Sequence, residues 1–538
     1  MKLLLGWALF LCLLPGTAKA RQLGSTLSVG DIAARVDRLT EGNVGRGFVP
    51  VRVQAQNTGS EEARLELDYS GGWTRRMARG KVNRSITLLP GESASIELLV
   101  PASRNVHGSC SNHLTLSSRD ARSHVDLQIS EDDFSERARI VCLLGDTQLS
   151  EARVVTIRGA LPMDNGSVAQ GVFDCNKVRH GRNGQGAQVF SLAFDDLPEH
   201  TVGWSSVDSV LVDVTGPIRG GPGWSRLLEW VRQGGQVMFV GEDLGQNLKG
   251  IEGLSDLLQE RFRVKVEGSG DFYRAGFGTL AVVPPLHSSK SFLANPLDLA
   301  GHLHLLDEGD GVNKEWSAMP SNMAMMYRAR GARVPWRVAF PSNALGLRGV
   351  VFFLLLFSLI VGPLNVFLIK RKQRPGLLFV SVPVISLVTT ALIVLFGFFR
   401  QGFGTEGYAN SVVILDQVTH QATTALRRRM VAGSGGQALS PRPSTTVLVP
   451  DEGLQSATRI VEEEGNQLRL SGDFLPVRTQ TEHLILTAAA RVRARLEFKP
   501  GANGTLQVTN GLGVPLKSLE VRGPDGSIYA SGSPLALG

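Results

Sequence analysis

The sequence predicts a multidomain chain: an antiparallel β-sandwich, then a doubly wound α/β domain, two transmembrane helices and a carboxy-terminal β-rich domain. Three observations carry that prediction. Short segments near the amino terminus alternate apolar and polar residues with a period of two, as half-buried strands do. Beyond residue 137, continuous apolar runs take turns with an amphipathic helical pattern, the rhythm of a parallel sheet crossed by helices. Two uncharged stretches, 349–369 and 376–399, then flank a short segment holding four positive charges.

Met1 and Lys2, an apolar run over 3–14 and the small residues Ala18 and Ala20 make 1–20 a secretory signal peptide, cleaved after Ala20. A lipoprotein signal would use Cys12, but Leu11 is bulky where that signal wants a small residue. The remaining chain is long enough for several cores. The formal charge of the full sequence, +7, is spread along it, which speaks against nucleic acid and for a solvated basic surface near anionic membrane lipids.

The sandwich is expected over 21–136, from segments at 48–56, 63–69, 82–89, 95–100 and 125–129. Turn signals separate them, among them Asn57 Thr58 Gly59 and Pro90 Gly91 Glu92. Val51, Val53 and Ala55 alternate with Arg52, Gln54 and Gln56, which predicts one buried face and one wet face. The α/β domain is expected over 137–285, with apolar runs at 140–144, 189–194, 207–214, 236–240 and 279–283. Between the third and fourth runs, Trp224, Leu227, Leu228 and Val231 share one helical face until Gly234 and Gly235 stop the helix.

Three thiols remain after the signal, Cys110, Cys142 and Cys175, enough for one disulfide and a leftover. None stands in a Cys-x-x-Cys pair, so neither a zinc ribbon nor a thioredoxin-like site is indicated. Cys142, inside an apolar run, is expected to be a buried structural thiol. The glycine cluster at 216–223 lacks the Gly-Lys-Ser/Thr ending of a phosphate loop and reads as a flexible loop before a helix.

Several of these segments resemble a known group. Leu197 Pro198, the stretch from Trp204 to Val212, the stretch from Leu228 to Gln236, and Gly276 Phe277 Gly278 Thr279 resemble the extracytoplasmic class I glutamine amidotransferase-like domains of certain bacterial membrane proteins. Val361 Gly362 Pro363 Leu364 Asn365 and Lys370 Arg371 Lys372 are similar to the transmembrane hairpin of that group. The resemblance covers about half of the chain and implies an amidotransferase-like fold with a cysteine nucleophile on a tight turn after a strand. Here the strand ending at Val212 leads into Asp213 Val214 Thr215 Gly216, without a cysteine, so the chain departs from the glutaminase pattern.

No residue is assigned a catalytic, cofactor-binding or metal-ligating role from sequence. Asp208 and Asp213 are the candidates for a paired-carboxylate site at the end of an open sheet, although Asp208 begins the expected strand and Asp213 lies five residues on. His302 and His304 would share a face on a strand, but only Asp307 and Glu308 lie near them and no ligand spacing completes a metal site.

A linker region is expected at 286–348, followed by transmembrane helices at 349–369 and 376–399 and a cytoplasmic loop at 370–375. Lys370, Arg371, Lys372 and Arg374 orient this hairpin by the excess of positive charge on the cytoplasmic side. Pro363, Pro383 and Asn365 mark the helices, with Ser358, Gly362 and Asn365 expected to pack on Ser386, Thr390 and Gly397. An extracytoplasmic β-rich domain is expected over 400–538, with strands at 412–415, 446–449, 467–470, 483–486 and 491–498. Arg427 Arg428 Arg429 reads as a solvated strand end, or as a contact with anionic lipid or a partner.

The expected protein is thus a multi-pass component of the inner membrane, with its amino- and carboxy-terminal domains outside the cytoplasm. Its expected role is non-enzymatic binding or scaffolding in a cell-envelope complex, with membrane lipids and other envelope or membrane proteins as partners and no cofactor. The alternative is an exported hydrolase or transferase with an atypical active site on the α/β domain.

Overall fold

The structure is a computed structural model. It describes residues 25–39, 47–71, 79–101, 112–119, 121–127, 140–146, 188–259, 263–264, 271–285, 351, 355–372, 376, 378–401, 405–433, 438–442, 444–448, 458–464, 467–472, 474–476, 479–501, 505–523 and 527–537. The signal peptide, the 286–348 linker with His302 and His304, and Cys110 and Cys175 lie outside the described residues.

The first eight strands are β1 (Ser25–Val29), β2 (Ile32–Arg38), β3 (Phe48–Asn57), β4 (Ala63–Gly71), β5 (Arg79–Leu88), β6 (Ser93–Pro101), β7 (Asn112–Ser118) and β8 (Ala121–Asp126). They fall into two sheets. One has the order β1-β2-β3-β6, and the other contains β5-β4-β7-β8. Alternation places Val51, Val53, Ile96, Leu98 and Val100 toward Leu65, Leu67, Tyr69, Leu114 and Leu116 of the facing sheet, and all are buried.

Seven strands follow: β9 (Ile140–Gly145), β10 (Gln188–Ala193), β11 (Ser209–Val214), β12 (Gln236–Gly241), β13 (Arg263–Val264), β14 (Asp271–Ala275) and β15 (Gly278–Val283). They form one sheet in the order β10-β9-β11-β12-β15-β14-β13. Pairing is parallel from β10 through β15 and antiparallel at β14 and β13. Every residue of β11 and β12 is buried, which explains their continuous apolar sequences.

Helix α1 (Pro222–Arg232) is the single helix of eight or more residues flanking this sheet among the described residues; 244–247 and 254–257 are single turns. The expected doubly wound, amidotransferase-like domain is therefore overturned. Continuous apolar strands are equally consistent with sheets buried by loops and other sheets, and here strand predominates among the described residues.

The glycine cluster also differs from expectation. Gly220 and Gly250 bring two loops into backbone contact, so that a β-carbon on Gly220 would stand 2.2 Å from the Gly250 carbonyl oxygen. Close packing rather than flexibility requires those glycines.

The described residues of the two uncharged stretches form a helical hairpin. A π turn at Ile360–Leu364, containing Pro363, precedes the eight-residue α2 (Asn365–Lys372), and α3 (Leu378–Gln401) contains Pro383. Asn365 is buried between them and its Nδ2 donates to Ser381 Oγ at 2.9 Å, a partner other than the expected Ser386, Thr390 and Gly397 face. No helix among the described residues is long and apolar enough to cross a membrane. The expected transmembrane helices at 349–369 and 376–399 are corrected accordingly, and with them the multi-pass inner-membrane location. Counting uncharged residues missed that the first stretch includes a π turn at its proline, where the α-helical bonding pattern is interrupted.

The last ten strands are β16 (Thr405–Asp416), β17 (Gln421–Ala432), β18 (Thr445–Leu448), β19 (Thr458–Glu464), β20 (Gln467–Gly472), β21 (Gln480–Arg491), β22 (Arg495–Pro500), β23 (Leu506–Gly511), β24 (Glu520–Arg522) and β25 (Ile528–Ala530). A four-stranded sheet has the order β16-β17-β21-β18, while β22-β23 and β24-β25 are two-stranded. Arg427 and Arg429 both bond Glu482 across the β17–β21 pair, so two of the three consecutive arginines are engaged within the sheet.

Strands β19 and β20 leave their neighbours in sequence and join the amino-terminal sandwich. β19 pairs parallel with β5, completing a six-stranded sheet β20-β19-β5-β4-β7-β8. Val461, Leu468 and Leu470 enter the same buried apolar cluster as Leu65 and Leu98. Leu470→Ala should therefore destabilise the amino-terminal sandwich by about 2–5 kcal/mol. Hydrogen exchange would show reduced amide protection in β4 and β5; unchanged protection there would mean that the carboxy-terminal hairpin adds nothing to the sandwich.

Candidate functional site

Where β3 and β6 pair, Arg52 stands directly opposite Glu97. Alternation turns both side chains away from the sandwich core, onto the face expected to be wet. Both are nevertheless buried, Arg52 at 7% exposure and Glu97 at 1%. The segment 194–206 covers them.

That segment consists of two short 3-10 turns, Phe194–Asp196 and Thr201–Trp204, joined through Leu197 and Pro198. Arg52 Nη1 donates to Asp196 Oδ1 at 2.8 Å and Nη2 to the Leu197 carbonyl at 3.2 Å. The Glu199 N–H donates to Glu97 Oε2 at 2.8 Å. Gly203 allows close approach, since a β-carbon there would lie 3.0 Å from Pro198 Cβ and 3.5 Å from Glu97 Oε1. Beside it, the Phe48 N–H donates to Ser205 Oγ at 2.9 Å. Gly47, with φ of +71°, has room for no side chain against Ser205.

The same turn is held from behind by α1. Thr201 Oγ1 donates to Glu229 Oε2 at 2.7 Å, and Glu229 also receives Arg226 at 3.0 Å. Trp204 and Trp230 pack with ring centroids 5.8 Å apart. At its other end, α1 reaches the carboxy-terminal sheet: Gln233 Nε2 donates to the Ser444 carbonyl at 2.9 Å, and Thr446 Oγ1 donates to Gln233 Oε1 at 2.7 Å.

Electrostatically the unusual group is Glu97. Burial pushes its carboxyl up to about 7, outweighing the Glu199 N–H and the nearby His200, which favour the charged form. The Arg52 guanidinium favours it as well, but is bonded to Asp196 and Leu197. Glu97 Oε1 and Arg52 Nε have no hydrogen-bond partner among the described residues.

The sequence candidates lie elsewhere. Asp208 occupies the bend before β11 and Asp213 is the penultimate residue of that strand, so the structure places them at opposite ends of β11. Both are buried. Near the Asp213 end, Thr215 Oγ1 donates to Asp146 Oδ2 at 3.1 Å. Among the described residues no group of three or more His, Cys, Asp or Glu side chains could hold a metal ion.

Arg52, Glu97 and His200 were not recognised as site residues from sequence. A signal was present: Phe48 Val49 Pro50 Val51 and Leu98 Leu99 Val100 Pro101 are apolar without alternation, the mark of burial on both faces.

No family model and no curated protein matches the chain. Partial similarity to solved structures includes the apo PCuAC domain of PmoF2, at 16% identity over 20% of this chain and 97% of that one, with a TM-score of 0.14. A transglutaminase of red sea bream is 12% identical over 20% of this chain and 17% of its own length, with a TM-score of 0.15. A cycloisomaltooligosaccharide glucanotransferase of Paenibacillus sp. is 9% identical over 83% of this chain and 69% of that one, with a TM-score of 0.18. Such scores carry no argument about fold or activity.

Arg52→Met would remove two charge-assisted bonds at the junction and is expected to cost about 1.5–3 kcal/mol in urea unfolding at neutral pH. Arg64→Met provides the comparison: its pair with Glu66 is solvent-exposed at both ends, and its loss should cost under about 1 kcal/mol. Equal effects would show that the Arg52 junction is no tighter than a surface ion pair.

Proposed function

We propose that this chain is a non-enzymatic binding or scaffolding protein, which holds several β-sheet surfaces in fixed relation for protein partners. The observation that carries this reading is the use of its buried polar side chains. Arg52, Glu97, Gln233 and Thr446 make contacts that join one sheet's unit to the next, and Thr201 braces the first joint against α1. A binding scaffold needs such joints because partner surfaces separated on different sheets are engaged together only if their spacing is fixed.

A second reading, hydrolytic or transfer chemistry, draws on one observation. Asp146, Asp213, Thr215, Glu242 and Asp243 lie at or just beyond the carboxyl ends of adjacent parallel strands, the edge where open sheets bind small molecules.

Crosslinking and affinity purification of the full chain under mild detergent should recover it with discrete protein partners. Recovery of a lone monomer would count against the scaffold. Asp146→Ala and Asp213→Ala should leave partner recovery unchanged in folded protein; loss of turnover of a small-molecule substrate on these changes would favour the second reading instead.

A further inference from the structure

The joint between the amino-terminal sandwich and the seven-stranded sheet contains a carboxylate in an unusual setting. Glu97 is sealed beneath 194–206, with one oxygen on the Glu199 N–H and the other without a hydrogen-bond partner among the described residues. Arg52, on the paired strand, is committed to Asp196 and the Leu197 carbonyl. Arg84, reaching over from β5, donates to the backbone carbonyl of Glu97 at 2.8 Å rather than to its carboxylate.

Among the described residues, the other charged or titratable groups facing this joint are Glu199 and His200 on the covering segment, and Glu229 with Arg226 on α1 behind it. Glu229 is occupied by Thr201 and Arg226. Arg52 and Arg84 are thus bonded elsewhere, and His200 favours the ionised form by less than burial opposes it. A neutral carboxyl suits this geometry, whereas an ionised one gains by exchanging the joint for water.

We propose that the joint is a proton-controlled latch: with Glu97 protonated, 194–206 stays seated on β3 and β6, and ionisation of Glu97 releases it. This rests on the scaffold reading, because releasing the latch would alter the spacing of the surfaces that the scaffold presents.

The direction of the pH dependence follows from linkage. The closed joint holds the Glu97 proton up to about pH 7, while the opened joint gives the carboxyl its ordinary value near 4.5. Closure is therefore strongest below about pH 4.5 and weakens as pH rises through 7. Between pH 5 and pH 8 the opening equilibrium should shift roughly 70-fold toward the open state.

Two amides report the latch directly, the Phe48 N–H on Ser205 and the Glu199 N–H on Glu97. Hydrogen exchange of the full chain, corrected for intrinsic exchange rates, should show both losing protection from pH 5 to pH 8, while Val237 in the buried β12 does not. Glu97→Gln should abolish that dependence and keep both amides protected, and His200→Gln should retain it. Absence of the dependence in the unaltered protein would overturn the latch without bearing on partner recovery. Persistence of the dependence in Glu97→Gln would overturn it equally.

Discussion

A polar or titratable side chain turned into an interface must be satisfied there or excluded from it. The junction between the amino-terminal sandwich and the seven-stranded sheet is organised by that constraint. Arg52 and Glu97 occupy opposing positions on paired strands, where a direct salt bridge would satisfy both. Instead, each bonds the covering segment, Arg52 through Asp196 and Leu197, Glu97 through the Glu199 N–H. Because these bonds cross the interface, the polar groups that would oppose docking also give the docking its register.

The covering segment could not serve this purpose alone. Its 3-10 turns are too short to be stable by themselves, and they are supported from the opposite side by α1. Glu229 fixes Thr201, Trp230 packs on Trp204, and one residue beyond the helix Gln233 binds Ser444 and Thr446 of the carboxy-terminal sheet. An eleven-residue helix thereby connects two interfaces. Disturbance at either end has a short, packed route to the other, through side chains that have little freedom to adapt.

The chain ends are coupled in a second way. Pairing of β19 with β5 is parallel and joins segments nearly four hundred residues apart. Such a contact forms only after a large loop is closed, so the amino-terminal sandwich depends on sequence from far along the chain to finish its sheet. The buried cluster consequently continues from Val29 through Leu486.

Periodicity by itself located β3, β4, β6, β9, β11, β12 and α1 to within a few residues, because strand and helix repeats depend on local geometry. Its failures concern what lies against each element. The sequence 491–498 alternates as one strand, yet residues 492–494 interrupt it between β21 and β22, since alternation does not specify a hydrogen-bonding partner. Uncharged length at 349–369 did not reveal the π turn at Pro363, nor did apolar runs after residue 137 reveal how few helices among the described residues flank their sheet. At the candidate site, the sequence determined that Arg52 and Glu97 point away from the sandwich core. Only the tertiary structure decided that this outward face is dry, because the residues that exclude water from it lie about a hundred positions or more away, at 194–206.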